Sequence, residues 1–229
     1  MAPFDEPIAA LDAASLRNLG VCGCHTCLCP GTILEDQGSG ADGTAITGRL
    51  PDVVDCGTAW SEQAGSLQIQ GGKIECQTTG LNRCVIDGLV PGTAANPVLV
   101  EADFVFGSVT APENSSIAIV FRWQDSSNFW LANVTNGVGD ATRNHVELIE
   151  VNGGSAFVRA NNTSGTFNYS TTYPGSLTLD GDVMTFVINS ITITWTSSFL
   201  NDKTNYGMHI FQNVPSTKHR FDNFKVSCA

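Results

Sequence analysis

The chain has little charge, and the charge it has is unbalanced. Only 14% of its 229 residues are charged, and 22 acidic residues against 11 basic ones give a formal net charge of −11. A surface of this sign repels phosphate backbones, so we expect no nucleic-acid partner. The low charge and the 23 glycines favour many short strands joined by turns rather than helices.

Long apolar runs are also absent. The sequence has no stretch of about 18 apolar residues, so we expect no membrane insertion. Residues 1–20, MAPFDEPIAALDAASLRNLG, lack the basic start and the continuous apolar run of a secretory signal peptide. We therefore expect a chain that is already mature, is exported by another route, or is released by lysis.

Familiar catalytic motifs are missing as well. The sequence contains no nucleophile elbow, phosphate-binding loop or HExxH motif. Its four histidines, His25, His145, His209 and His219, are scattered along the chain. We interpret each of them as a surface or strand residue rather than a metal ligand.

Cysteine, in contrast, is plentiful. Residues 22–30, CGCHTCLCP, hold Cys22, Cys24, Cys27 and Cys29. A redox pair is the weakest interpretation, because no βαβ pattern surrounds the motif. Four ligands so close together fold awkwardly around one tetrahedral zinc ion, so we favour disulfides or crosslinks over zinc. The remaining cysteines are Cys56, Cys76, Cys84 and Cys228.

Residues 1–30 are predicted to form an N-terminal arm that contains this cysteine cluster and a short helix. Asp5-Glu6-Pro7 resembles a helix start, and Gly20 is a suitable stop. So short a helix is marginal alone. We therefore expect the arm to dock on a partner or on the rest of the protein.

The stretch from Ser116 to Thr135, SIAIVFRWQDSSNFWLANVT, predicts a central β-hairpin with its turn at Asp125–Asn128. Alternation places Phe121 and Trp123 on one face of the first strand and Arg122 on the other. Similar segments predict an antiparallel sandwich. They are residues 97–106, 145–151, 155–160, 175–180, 183–189, 191–196, 206–212 and 219–227.

Several motifs carry a family resemblance. An aspartate is followed by GT-A-GR-PD, G-W and SLQIQGGKIECQ, and later by AIVFRWQDSSNFWLANV, VELIEVNGG and HRFDNFKVS. This order resembles concanavalin A-like (LamG or laminarinase-like) jelly-roll domains, which are frequent in phage structural proteins and bacterial surface proteins. The resemblance implies an all-β, two-sheet antiparallel jelly-roll sandwich over residues 31–229. It does not identify a ligand, because this fold hosts lectins, hydrolases and structural modules.

The resemblance also bears on metals and catalysis. It implies a calcium site at Asp222, together with the first strand near Asp36. Laminarinase-like hydrolases place two catalytic glutamates on one face of a strand. Here Glu147 and Glu150 are three residues apart and must face opposite sides, so we expect no enzyme of this kind.

Two cysteine pairings are considered for the domain. Cys76 and Cys84 flank TTGLNR, which suits a disulfide-closed hairpin, and Cys56 with Cys84 is the alternative. In an antiparallel jelly roll the first and last strands usually lie side by side. That arrangement would bring Cys228 close to the cysteine cluster.

A glycan site is predicted on the concave sheet. Trp123 or Trp130 would stack on a sugar ring, with Arg122 and Asn133 as polar partners. Ordinary packing of Arg122 and the two tryptophans is the simpler interpretation, because aromatic pairs stabilise sheets without a ligand.

We expect a non-enzymatic structural or adhesion protein, a phage virion component with a glycan-binding jelly-roll module. Its expected partners are a cell-surface glycan, other virion or surface-assembly subunits bound through residues 1–30, and further copies of itself in a homo-oligomer. The expected location is the virion or an extracellular surface. The alternatives are a bacterial filament subunit or surface lectin, and a laminarinase-like or keto-disaccharide hydrolase.

Overall fold

The alternating segments of the sequence form strands. A computed structural model describes residues 31–54, 59–89, 92, 97–107, 114–137, 144–214 and 217–229. These residues contain β-strands and no helix, and therefore no helix that could cross a membrane. The predicted arm, residues 1–30 with its zinc or disulfide cluster, lies outside the described residues, as does Cys56.

The strands, in chain order, are β1 (Gly31–Asp36), β2 (Val53–Val54), β3 (Ser61–Ala64), β4 (Leu67–Gln70), β5 (Lys73–Cys76), β6 (Gly80–Ile86), β7 (Val98–Phe106), β8 (Asn114–Asp125), β9 (Asn128–Gly137), β10 (His145–Asn152), β11 (Ser155–Asn162), β12 (Thr171–Asp180), β13 (Val183–Ile188), β14 (Ile191–Thr196), β15 (Tyr206–Gln212) and β16 (Arg220–Cys228).

These strands form two antiparallel sheets. The nine-stranded sheet has the order β14-β13-β12-β7-β16-β1-β2, and β5 joins it by pairing with β16 and with β4. The seven-stranded sheet has the order β11-β10-β9-β8-β15-β6-β3, with the predicted hairpin as β8 and β9 near its centre. The prediction of an all-β two-sheet antiparallel sandwich is confirmed.

The main core lies between the two sheets. Along β7 buried and half-buried residues alternate without a break, so that one face of the strand is fully inside. Phe104 on this face lies 5.2 Å from Phe221 and 5.9 Å from Phe186, measured between ring centroids. From the seven-stranded sheet, Trp130 and Phe121 join the same core.

A second apolar cluster belongs to the seven-stranded sheet alone. Its members are Val85, Ala118, Val120, Trp123, Phe129, Leu131 and Val151. Because none of them belongs to the core between the sheets, they define the outer face of this sheet. The sheet therefore has buried apolar side chains on both faces.

One irregularity in β8 corrects the predicted faces of the hairpin. The register with β9 shifts between Phe121 and Asp125, and Arg122 has a positive φ of 49°. Such a bulge reverses the alternation. Trp123 therefore lies on the outer face with Ala118, and not beside Phe121 as predicted.

The predicted disulfide is wrong. Cys76 and Cys84 are both free thiols, buried in the core. Their strands do not form a hairpin, since β5 lies in the nine-stranded sheet and β6 in the seven-stranded sheet. The free thiol of Cys84 also excludes its alternative pairing with Cys56.

The predicted adjacency of the first and last strands is confirmed. β1 pairs with β16, and Gly31 lies opposite Cys228. Cys228 is disulfide-bonded. Its partner is neither Cys76 nor Cys84, the other two described cysteines, because both are free thiols.

Candidate functional site

A line of polar residues crosses the outer face of the seven-stranded sheet. Strand register places six residues side by side from β6 to β11, and Ala118 lies at the centre of this line. We call the five polar members the polar row. They are Arg83, His209, Asn133, Glu147 and Asn161.

The neighbouring line across the same face contrasts with the polar row. It consists of Val85, Gly207, Val120, Leu131, Ile149 and Val158, paired in that order. No member of this line carries a polar side chain. The line on the other side of the polar row is mixed: it begins with Leu81 and Phe211 and ends with Ser116, Thr135 and His145. The polar row therefore borders an apolar line on one side only.

Arg83 anchors the buried end of the row. Its guanidinium carbon lies 4.1 Å from the ring centroid of Phe129 and 5.0 Å from that of Trp123. Nη2 of Arg83 lies 3.2 Å from Nδ1 of His209. Because a guanidinium only donates, this Nδ1 accepts and the His209 ring is neutral. Burial lowers the pKa of His209 to about 3, with a further contribution from Arg83, and burial lowers the pKa of Arg83 to about 10.

Glu147 lies at the more accessible end. Nδ2 of Asn133 donates to its Oε2 over 3.0 Å, and Nδ1 of His145 lies 3.3 Å from its Oε1. Glu147 is 8% exposed, while Asn161 beside it is exposed and His145 is partly exposed. The carboxylate is thus held from two sides next to solvent.

Two buried atoms of the row have no hydrogen-bond partner in the part of the chain that the structure describes. They are Nε of Arg83 and Oδ1 of Asn133, on residues that are 6% and 4% exposed. Leaving a buried polar atom unpaired costs about 1–3 kcal/mol. A ligand hydroxyl, which both donates and accepts, could satisfy atoms of either kind.

The four residues predicted to bind a glycan do not come together. Arg122 is 1% exposed, and its Nη1 donates to the carbonyl of Ser197 over 2.8 Å. Trp130 is fully buried between the sheets, where its Nε1 donates to the carbonyl of Phe199 over 3.1 Å. Neither presents a surface for a sugar, because stacking needs an exposed aromatic face.

The other two predicted residues do lie on the outer face. Asn133 belongs to the polar row, and Trp123 packs under Arg83 with 4% of its surface exposed. The predicted constellation is therefore corrected in two ways. Its polar part is retained through Asn133, and its stacking part is lost because both tryptophans are buried.

The carboxylates of the implied calcium site are engaged elsewhere. Asp36 is fully buried and accepts hydrogen bonds from Nε1 of Trp60 over 2.6 Å and from Arg49. Asp222 forms an ion pair with Lys73. The described residues hold no cluster of three metal-ligating side chains. Calcium binding therefore stays a prediction that these contacts do not support.

The predicted separation of the two glutamates is confirmed. Glu147 pairs with Asn133 on the outer face, whereas Glu150 pairs with Trp130 on the core side and forms an ion pair with Arg159 over 3.0 Å. The direct cross-strand neighbours of Glu147 are amides, Asn133 and Asn161. They supply no second carboxylate.

Sequence reasoning missed Arg83 and His209. Each is a single ionisable residue within an apolar strand, in NRCVI and in GMHIF. This pattern could have identified both residues, because an ionisable side chain in an apolar strand is rarely buried without a partner. It could not show that the two residues are neighbours.

These features define an antiparallel β-sandwich of the kind found in carbohydrate-binding modules and lectin recognition domains. The carbohydrate-binding module CBM66 from Bacillus subtilis is similar, with 17% identity, a TM-score of 0.57, and coverage of 73% of this chain and 94% of that one. The carbohydrate recognition domain of Emp46p, in its metal-free form, has 12% identity, a TM-score of 0.50 and coverage of 74% and 87%.

A third similar structure belongs to a larger protein. It is a variant of the GH43 protein BlXynB from Bacillus licheniformis, with 11% identity, a TM-score of 0.53, and coverage of 88% of this chain but only 40% of that one. No family model and no curated protein matches the chain. Likenesses at such low identity show the fold alone.

Proposed function

We propose that this domain binds a glycan through the polar row and has no catalytic activity. The observation that carries the proposal is the Glu147 carboxylate, which Asn133 and His145 hold beside solvent, together with the unpartnered Oδ1 of Asn133. Carbohydrate-binding modules and a lectin recognition domain share the fold. That likeness supports the class of ligand.

The accessible end of the row sets where the glycan makes contact. Neighbouring strands are about 4.8 Å apart, so the part of the row from Asn133 to Asn161 spans about 10 Å. Glu147 lies between them and can accept from sugar hydroxyls. Because none of the five residues of the polar row is aromatic, affinity at the row rests on hydrogen bonds, and we expect weak binding.

The arrangement of carboxylates supports a binding role over hydrolysis. Glycoside hydrolases use two carboxyl groups that flank the same bond, about 5–9.5 Å apart. Glu147 and Glu150 are on opposite faces of β10, and Glu150 is paired with Arg159. A laminarinase-like or keto-disaccharide hydrolase remains the competing proposal, and measurable turnover of laminarin would favour it.

We place this binding function in a virion or extracellular surface assembly that the domain joins through residues 1–30. Two observations support attachment at this edge: Gly31 lies opposite Cys228, and Cys228 is disulfide-bonded. A homo-oligomer fits the same arrangement. A bacterial filament subunit or surface lectin is the alternative setting.

A glycan array compared between two matched variants tests the proposal. Glu147→Gln removes the charge at the accessible end of the row, and Glu101→Gln makes the same change on the nine-stranded sheet, where the Glu101 side chain is 42% exposed. We expect Glu147→Gln to weaken binding about tenfold, as for loss of one charge-assisted hydrogen bond, and Glu101→Gln to bind like the wild type. Equal binding by all three proteins would overturn the assignment.

A further inference from the structure

A pocket of about 280 Å³ lies at one end of the nine-stranded sheet, apart from the polar row. Three segments line it: the end of β7 with Gly107, Ser170 before β12, and Thr217, Lys218 and Arg220 around the start of β16. None of these belongs to the seven-stranded sheet. Any ligand of this pocket would therefore bind independently of the proposed glycan face.

Hydrogen bonds fix the pocket walls. The Gly107 amide donates to Nδ1 of His219 over 3.2 Å, and the Ser170 amide donates to the carbonyl of Phe106 over 2.8 Å. A side chain at Gly107 would meet the carbonyl of Thr217, since its Cβ would lie 1.5 Å from that oxygen. The shape of this wall therefore requires glycine at position 107.

The charges around the pocket do not balance. Lys218 and Arg220 line it, and none of the lining residues is acidic. Behind them Glu75 pairs with both cations, with 2.6 Å to Nη2 of Arg220 and 3.4 Å to Nζ of Lys218. One carboxylate against two cations leaves one positive charge. His219 adds none, because burial lowers its pKa to about 3.

Arg220 also has an unused donor. Its Nε is buried and has no hydrogen-bond partner within the described residues, although Nη2 is engaged by Glu75. A guanidinium donor of this kind suits the oxygen atoms of a carboxylate, sulfate or phosphate. Lys218 and the hydroxyl of Ser170 are further donors on the same lining.

We propose that this pocket binds an oxyanion group, held by the guanidinium group of Arg220 and by the ammonium group of Lys218. Two sources share this chemistry: a free inorganic anion, and an acidic sugar such as a glucuronic acid unit. A neutral sugar lacks the charge that the two cations recognise. The pocket would make the protein bind acidic ligands despite its negative net charge.

Two-dimensional NMR of the backbone amides tests this proposal. Sodium sulfate, sodium glucuronate and glucose are titrated at matched ionic strength, and the amide signals of Gly107, Ser170 and Lys218 are followed. We expect saturable shifts with sulfate or glucuronate and none with glucose. Sulfate alone would identify a free-anion site, and glucuronate alone an acidic-sugar site.

Two lysine variants separate specific binding from general attraction. Lys218→Met removes a cation of the pocket, and Lys203→Met removes a lysine of similar exposure, 33% against 35%, that is paired with Asp202 elsewhere. We expect about tenfold weaker binding for Lys218→Met and no change for Lys203→Met. Equal effects of the two variants, equal shifts with glucose, or no saturable binding of any probe would overturn the proposal.

A third variant tests the role of the guanidinium group of Arg220. Arg220→Lys keeps the positive charge but removes the guanidinium donor. We expect about tenfold weaker binding of the anion, with the other amide signals of the protein unchanged. Wild-type affinity in Arg220→Lys would show that the guanidinium group takes no part, and the assignment of Arg220 would be wrong.

Discussion

Arg122 and Gly181 connect the two sheets of the sandwich. Nη2 of Arg122, on β8 of the seven-stranded sheet, donates to the carbonyl of Gly181 over 2.5 Å. Gly181 lies in the turn between β12 and β13 of the nine-stranded sheet. Nη1 donates to the carbonyl of Ser197 beyond β14. One buried guanidinium group thus supplies hydrogen-bond donors to two carbonyl groups of the opposite sheet.

Arg122→Met should therefore lower the free energy of unfolding. Two hydrogen bonds from a charged donor contribute about 1.5–3 kcal/mol each, so we expect a loss of about 3 kcal/mol or more in urea denaturation. Lys203→Met is the control, because the Lys203 side chain is 33% exposed, its partner Asp202 is 69% exposed, and such a surface pair should contribute less than about 1 kcal/mol. Equal losses in the two variants would contradict a structural role specific to Arg122.

The face to which each side chain of a regular strand points is the feature of this fold that the sequence predicts well. Residues 97–106 alternate, and β7 buries Val98, Phe104 and Phe106 on one face, as predicted. The same rule put Glu147 and Glu150 on opposite faces of β10. Both predictions hold because side-chain direction along a regular strand depends only on local geometry.

Predictions that depend on irregular or distant contacts were less successful. The bulge at Arg122 places Trp123 on the face opposite to the one that alternation predicted. No feature of the local sequence indicates this bulge. Strand order is likewise not local. Cys76 and Cys84 are close in sequence but belong to different sheets. The polar row unites residues as distant as Arg83 and His209, which only the strand order brings together.

Cys76 and Cys84 should not react with thiol reagents in the folded protein. Burial raises the pKa of Cys76 to about 12, with a further contribution from Glu75, and burial raises the pKa of Cys84 well above its ordinary value. The nucleophile is the thiolate, which is then scarce at neutral pH. Mass spectrometry after iodoacetamide treatment should show both thiols unmodified in buffer and modified in denaturant. Modification in buffer would contradict their burial.

His209 and His219 should make the protein less stable in mild acid. Burial lowers the pKa of each from 6.5 to about 3. In the unfolded chain each histidine therefore binds a proton near pH 6.5, whereas in the folded protein it stays neutral until the pH approaches 3. Stability is full above pH 6.5, and as the pH falls towards 3 it decreases by about 1.4 kcal/mol per pH unit for each histidine.

Urea denaturation between pH 7 and pH 5 measures this dependence. His219→Gln should reduce the slope of stability against pH by the share of one histidine, because glutamine does not titrate. His145→Gln is the matched control, since His145 is only partly buried. An unchanged slope in His219→Gln would show that this histidine binds its proton over the same pH range in the folded and the unfolded protein.

The disulfide of Cys228 should join the last strand to the segment before the first. Gly31 lies opposite Cys228, and the cluster Cys22–Cys29 precedes Gly31 directly in the sequence. Peptide mapping without reduction should therefore link Cys228 to one cysteine of that cluster. Cys228→Ser should lose the link and weaken assembly, while the sandwich stays folded because Cys228 is only one partly buried residue at the margin of a large core. If all five of these cysteines were free and one zinc ion were bound per chain, the metal interpretation would be correct and ours wrong.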